Sequence, residues 1–200
     1  MSALATSSSP RPTATGDPLV PAPRTLRLLV VSAAAPEGRS GRLLTAFVLD
    51  RLRTRDDLEV TALPVAEALA DRTAWAEAVT AADAVVVVTP EHNHSFPGDL
   101  KSAIDLLRHE WTATPVGVVS YGGVSGGLRA TEQLRLVFAE LHTLVVRDTV
   151  GVAHVTSAFD DAGRPHDHDG LVVALDRLVA GMDWWARTLA TGLERAPYPS

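Results

Sequence analysis

The chain alternates between continuous apolar runs and stretches whose apolar residues recur every three or four positions. The first run, LRLLVVS at residues 26–32, is apolar throughout and predicts a strand buried on both faces. Residues 33–39 are small and include Pro and Gly, which predicts a loop. Ser40 is placed to cap a helix running to about Thr54, with Leu43, Leu44, Phe47, Val48 and Leu52 on one face. Residues 58–65 predict a second strand, and residues 73–81 a helix carrying Trp75 and Val79. DAVVVVTP, residues 83–90, is the clearest buried strand. A polar loop at 91–95 precedes a helix with Pro97 near its first turn, running to about His109. PVGVVSYGG at 115–123 predicts a fourth strand ending in glycines, and residues 125–141 a helix. Residues 144–146 begin a fifth strand, and 169–190 form a long terminal helix. On that helix one of Trp184 and Trp185 is expected to face the core and the other a partner subunit.

Strands alternating with helices predict an α/β protein with a parallel sheet. Five strands fit the flavodoxin-like order 2-1-3-4-5, a three-layer sandwich with helices on both faces of the sheet. Ligands of such sheets sit beyond the carboxyl ends of the strands, where the order reverses between strands 1 and 3. Three polar or glycine-rich loops follow strands 1, 3 and 4, so all three are expected at one edge. No internal repeat is visible. Residues 1–24, rich in Ser, Thr, Ala and Pro without an apolar period, predict a disordered tail ahead of one domain at 25–195.

Composition narrows the function. Of 200 residues, 46% are hydrophobic and 21% charged, with a net charge of -6 and Lys101 as the only lysine. Scattered arginines on an acidic chain argue against nucleic-acid binding. No cysteine is present, which excludes disulfides, thiolate metal sites and a Cys nucleophile. No apolar run approaches the roughly 18 residues of a membrane helix, and the amino terminus lacks the order of a signal peptide. A cytoplasmic location without membrane attachment is the expectation.

Each loop offers candidate chemistry. The first opens a helix, whose free amides and dipole favour an anion, and Ser32, Arg39, Ser40 and Arg42 add donors suited to a phosphate monoester. A plain loop and helix cap with surface arginines explains the same residues equally well. It is neither a Walker motif nor G-x-G-x-x-G. The second loop, PEHNHSFPG, holds His92 and His94 without a third ligand at regular spacing, so a metal is not expected. Asn93 and the loop's backbone suit the edge of a heterocyclic ring. In the third loop four glycines and two serines surround Tyr121, and glycine lets backbone approach a flat ring closely or take positive φ. HDHD at 166–169 reads as a solvated loop and helix cap, and no G-x-S-x-G elbow is present.

TPEHNHSFPGDLKSAIDLL and PVGVVSYGGVSGGLRATEQLRLVFAEL together resemble the NADPH-dependent FMN reductase family, which reads T-P-E-Y-N-x-S-x-P-G-x-L-K-N-A-I-D and then P-V-x-x-x-S-x-G. The resemblance implies FMN as cofactor, NADPH or NADH as donor, and a small acceptor such as a flavin, quinone, azo or nitro compound. It implies Ser32, Arg39 and Ser40 at the phosphate, Pro90, Glu91, His92 and Asn93 at the ring, and backbone of Ser120, Tyr121, Gly122 and Gly123 along its other edge. It also implies a homodimer or homotetramer with the flavin near a subunit interface. No side chain is expected to act as acid, base or nucleophile, because the flavin carries the chemistry. The chain departs from the family at 32–35, where Ser-Ala-Ala-Ala replaces G-S-x-R, at His92 for tyrosine and at Ser102 for asparagine. A flavodoxin-like flavin-binding or regulatory protein without turnover is the second reading, and a hydrolase or transferase on a similar sheet the third.

Overall fold

A computed structural model describes residues 24–199. The elements are β1 (Leu26–Ser32), α1 (Arg39–Arg53), β2 (Leu58–Pro64), α2 (Val65–Ala70), α3 (Arg72–Ala81), β3 (Ala84–Pro90), α4 (Gly98–Asp105), β4 (Pro115–Tyr121), α5 (Leu128–Glu140), β5 (Leu144–Val145), β6 (Val150–Val152) and α6 (His168–Arg195). One-turn helices at His109–Trp111 and Val155–Ser157 complete the chain. All strand pairings are parallel, in the order β2-β1-β3-β4-β5, so the 2-1-3-4-5 expectation holds.

The continuous apolar runs are the central strands, as their composition requires. Every residue of β4 is buried, as is every residue of β3 except Pro90. Alternate side chains feed two cores. On one face Val30, Val86, Val88, Val119 and Tyr121 meet α1 and α6. On the other, Leu29, Val85, Val87 and Val118 meet α2 to α5, where Trp111 packs edge-on to Trp75 and Phe138 at 5.6 and 5.1 Å.

Several expectations are corrected. The fifth strand is two short pieces on β4: β5 pairs with Pro115 and Val116, and β6 with Val119 to Tyr121. β2 stops at Pro64, which lacks the amide to continue a ladder, and the good helix formers VAEALA turn at once into α2. Ser40 is not a cap. α1 starts at Arg39 behind Gly38, which has no side chain to cap with, because the Gly38 amide closes a turn onto the Ala35 carbonyl at 2.9 Å. α4 ends at Asp105 rather than near His109.

Of the expected tail at residues 1–24, residues 1–23 lie outside the described residues, while Arg24 is held by its bidentate pair with Asp83 at 2.9 Å. The terminal helix runs to Arg195, and beyond it Tyr198 stacks edge-on to His142 and bonds its Nδ1 at 3.1 Å. In the HDHD stretch Asp167 does cap α6, accepting from the Gly170 amide at 3.1 Å. Trp185 packs against the core, while Trp184 is 49% exposed.

Candidate functional site

β1, β3 and β4 are hydrogen-bonded neighbours, so their loops leave from one edge. The ladder runs on into the loops: the Ala33 amide donates to the Val88 carbonyl and the Glu91 amide to the Tyr121 carbonyl, both at 2.8 Å. The structure therefore brings together the three loops that the topology predicts. It does not give each residue the same part.

In the first loop Ser32 lies below the turn. Its hydroxyl shares a 3.0 Å hydrogen bond with Thr45 and accepts from the Ala34 amide at 3.3 Å. The exposed Arg39 guanidinium donates to the Asp160 carbonyl at 2.9 Å, which ties α1 to the segment before α6. Ser40 lies in the first turn of α1, where the backbone amides of residues 39–41 have no intrahelical acceptor, and Arg42 follows it, its amide donating to the Gly38 carbonyl at 3.1 Å.

The second loop is a tight reversal. His92 and Ser95 exchange both backbone hydrogen bonds, at 2.9 and 2.8 Å, across Asn93 and His94. Both central residues have positive φ, 49° and 65°, the pattern of a type I′ turn. Asn tolerates that region well and His tolerably. His92, Asn93 and His94 are all exposed.

The third loop separates its glycines into two kinds. Gly126 and Gly127 have positive φ, 62° and 86°, and a Cβ at Gly127 would overlap the Ser120 side chain and lie 2.6 Å from the Tyr121 nitrogen. Their small size serves packing. Gly123 has open space where a Cβ would be, and neither it nor Gly122 has positive φ. Ser120 is buried, donating from its hydroxyl to the Gly126 carbonyl and accepting from Thr131, both at 3.1 Å. Its side chain shapes the loop.

Two features escaped the sequence reading. Glu91 pairs with Arg129, taking its amide at 3.0 Å and its guanidinium at 2.7 Å. Burial pushes the Glu91 carboxyl up, but Arg129 and the Ser125 hydroxyl outweigh it and hold the group below its ordinary range. The pair locks the second loop to the start of α5. The other feature is the segment after β6, where His154 and Val155 donate to the Gly123 and Gly122 carbonyls at 2.9 and 3.1 Å. It walls the third loop and reaches α1, where Gly163 packs on Leu43. A broad groove of about 1030 Å³ lies on the outer side of this wall, over Leu43, Phe47 and Val172, away from the loop convergence.

Tyr121 links the loops. Its ring crosses from the end of β4 to α1, where a Cβ on Gly41 would overlap its hydroxyl and lie 2.9 Å from Cζ. Burial pushes the phenol up to about 12. The donor set at this edge is made of backbone amides, hydroxyls and one arginine, and it fits a flavin mononucleotide: donors beside a helix start at one end, and a glycine lip with space at the other.

Solved structures share this architecture, which defines the class as flavodoxin-like. The flavoenzyme NAD(P)H:(acceptor) oxidoreductase of Paracoccus denitrificans superposes with a TM-score of 0.66 at 20% identity, covering 80% of this chain and 97% of that one. An NADH:FMN oxidoreductase in its apo form gives 0.60 at 20% identity, over 77% and 88%. A family model for NADPH-dependent FMN reductases matches residues 26–157, and the chain belongs to that family. An NAD(P)H-dependent FMN reductase of Saccharomyces cerevisiae is 47% identical over 79 residues, 40% of this chain and 39% of that one. A quinone reductase of Pseudomonas putida is 38% identical over 112 residues, 50% and 60% of the two chains. The chain thus spans less than two thirds of the length of these curated relatives.

Proposed function

We propose that this chain is an NAD(P)H-dependent, FMN-containing oxidoreductase acting on a small acceptor, a quinone or a free flavin among them. One observation carries the reading. Three loops from adjacent strands meet at the switch point of the sheet and leave donors and open space there. A flavin bound there supplies the electron transfer between the reduced nicotinamide nucleotide and the acceptor.

The protein's own part is binding and orientation. The first turn of α1, with Arg39 and Ser40, takes the phosphate end, and Ser32 braces the turn from below. Pro90, Glu91, His92 and Asn93 present their backbone to the ring, with Glu91 holding that loop rigid through Arg129. Gly123 leaves the ring room on its other edge, with Gly122 packed behind it against Glu91.

Trp184 on α6 anchors a homodimer or a dimer of dimers in this reading, an exposed aromatic being a common interface residue. Light scattering at working concentration checks this, and a monomer alone would contradict it. No helix among the described residues is long and apolar enough to cross a membrane, and a cytoplasmic site of action is part of the proposal.

The second reading, flavin binding without turnover, is favoured by the first loop, whose residues 33–36 carry no polar side chain. Protein reconstituted with FMN and given NADPH and a quinone separates the two. Acceptor-dependent NADPH oxidation supports the enzyme. A yellow protein that leaves NADPH untouched supports the binding protein instead.

A further inference from the structure

Tyr121 and Gly41 form an arrangement that packing alone does not explain. β4 points Ser120 toward α5 and Tyr121 toward α1, because successive side chains of a strand face opposite ways. The phenol reaches across the end of β3 to the third residue of α1, and only a glycine there makes room for its hydroxyl. A glycine inside a helix costs about 1 kcal/mol relative to alanine. Phenylalanine would fill the same core with no hydroxyl to satisfy.

Tyr121 is 7% exposed. Its hydroxyl makes no hydrogen bond among the described residues, yet it is not one of the sealed, unsatisfied polar atoms. Buried phenols normally find a partner. This one stops at the first turn of α1, beside Ala34 of the first loop, in the positive field of the helix start. Of the other polar side chains nearby, Ser32 is committed to Thr45 and the Ala34 amide and Arg39 donates to the Asp160 carbonyl, which leaves the Ser40 hydroxyl and the Arg42 guanidinium beside the phenol. The phenol stays protonated at physiological pH, since burial raises its titration to about 12, so it meets an anion as a donor.

We propose that the Tyr121 hydroxyl donates a hydrogen bond to the terminal phosphate of FMN, beside the first-turn amides of α1, and sets the preference for phosphorylated flavin over riboflavin. This rests on the flavin reading above. The preference then comes from a neutral donor at a helix start, with Arg39 contributing from the rim.

The test is Tyr121→Phe, which keeps the ring and its packing, with the fold followed by circular dichroism. Dissociation constants for FMN and riboflavin are measured by flavin fluorescence quenching, and the phosphorus resonance of bound FMN by NMR. FMN binding is expected to weaken about ten-fold or more, on the scale of a charge-assisted hydrogen bond. Riboflavin binding is expected to change less than about two-fold, and the bound phosphorus resonance to move. Equal losses for both flavins, or an unchanged FMN constant, would overturn the phosphate role while leaving the flavin reading intact. Failure of the wild-type protein to bind either flavin would remove the flavin reading and this role with it.

Discussion

At the amino-terminal edge of the sheet charged groups are closed onto one another, whereas at the carboxyl-terminal edge a buried hydroxyl is left without a partner and a glycine borders open space. Asp83, its side chain 8% exposed, takes Arg24, the Arg27 guanidinium and the Arg27 amide, all within 2.8–3.2 Å. Arg187 extends the network, donating to the Arg24 carbonyl at 2.7 Å and pairing with Asp183. At the opposite edge the Tyr121 hydroxyl has no partner among the described residues and Gly123 borders open space. The same sheet thus closes its buried charge at one end and leaves one buried hydroxyl open at the other. Buried polar groups are costly when unpaired, so their distribution marks where a ligand belongs.

The largest effect that sharpens this contrast lies within the third loop. Gly127→Val places a β-branched residue at φ 86° and against Ser120. It should cost about 3–4 kcal/mol of stability, measured by denaturant unfolding, with flavin binding lost through the fold. Asp83→Ala comes next, at about 1–2 kcal/mol, because the half-exposed Arg24 and Arg27 side chains can turn to water while the Arg27 amide loses its acceptor, and it should leave FMN affinity unchanged in the folded protein.

The Asp83 pair also sets a pH dependence. Burial raises the carboxyl, but hydrogen bonds from Arg27 and Arg24 dominate and hold it well below its ordinary range. A folded value below the unfolded one means the stabilisation is fully present above about pH 4 and is lost as pH falls below it. Thermal unfolding of Asp83→Asn across this range should show a flatter acid limb than the wild type.

Arg39→Ala should weaken FMN by about 1–1.5 kcal/mol and riboflavin hardly at all, at or below the low end of a charged hydrogen bond, since the group is exposed and one nitrogen already serves Asp160. Equal losses would remove Arg39 from the phosphate end. The smallest effect belongs to Ser40→Ala. A capping serine would cost about 1 kcal/mol, but Ser40 lies inside α1, so the melting temperature should barely move.

The strands were legible because burial on both faces leaves an uninterrupted apolar run, as in Val85 to Val88. The loop convergence was legible for the same reason, since topology follows from strand order. β6 was not, because three residues give no period, yet the segment it leads into walls the third loop. The Glu91–Arg129 pair was hidden by a separation of 38 residues. The glycines of the third loop read alike in sequence, and only backbone conformation divides those that pack from those that leave space. Tyr121 was placed at the site by its neighbours, but the reach of its side chain to Gly41 depends on the register of β4 and the path of α1.

The central claim is that a flavin occupies the space above Gly123, and Gly123→Leu tests it most directly. A Cβ there meets no heavy atom within 4 Å and the backbone φ is not positive, so unfolding stability should stay within about 0.5 kcal/mol of wild type. FMN is titrated into both proteins while the bound-flavin absorbance at roughly 450 nm is followed. The wild type is expected to bind FMN and the folded variant is not. A folded Gly123→Leu protein that binds FMN as tightly as the wild type would contradict the claim.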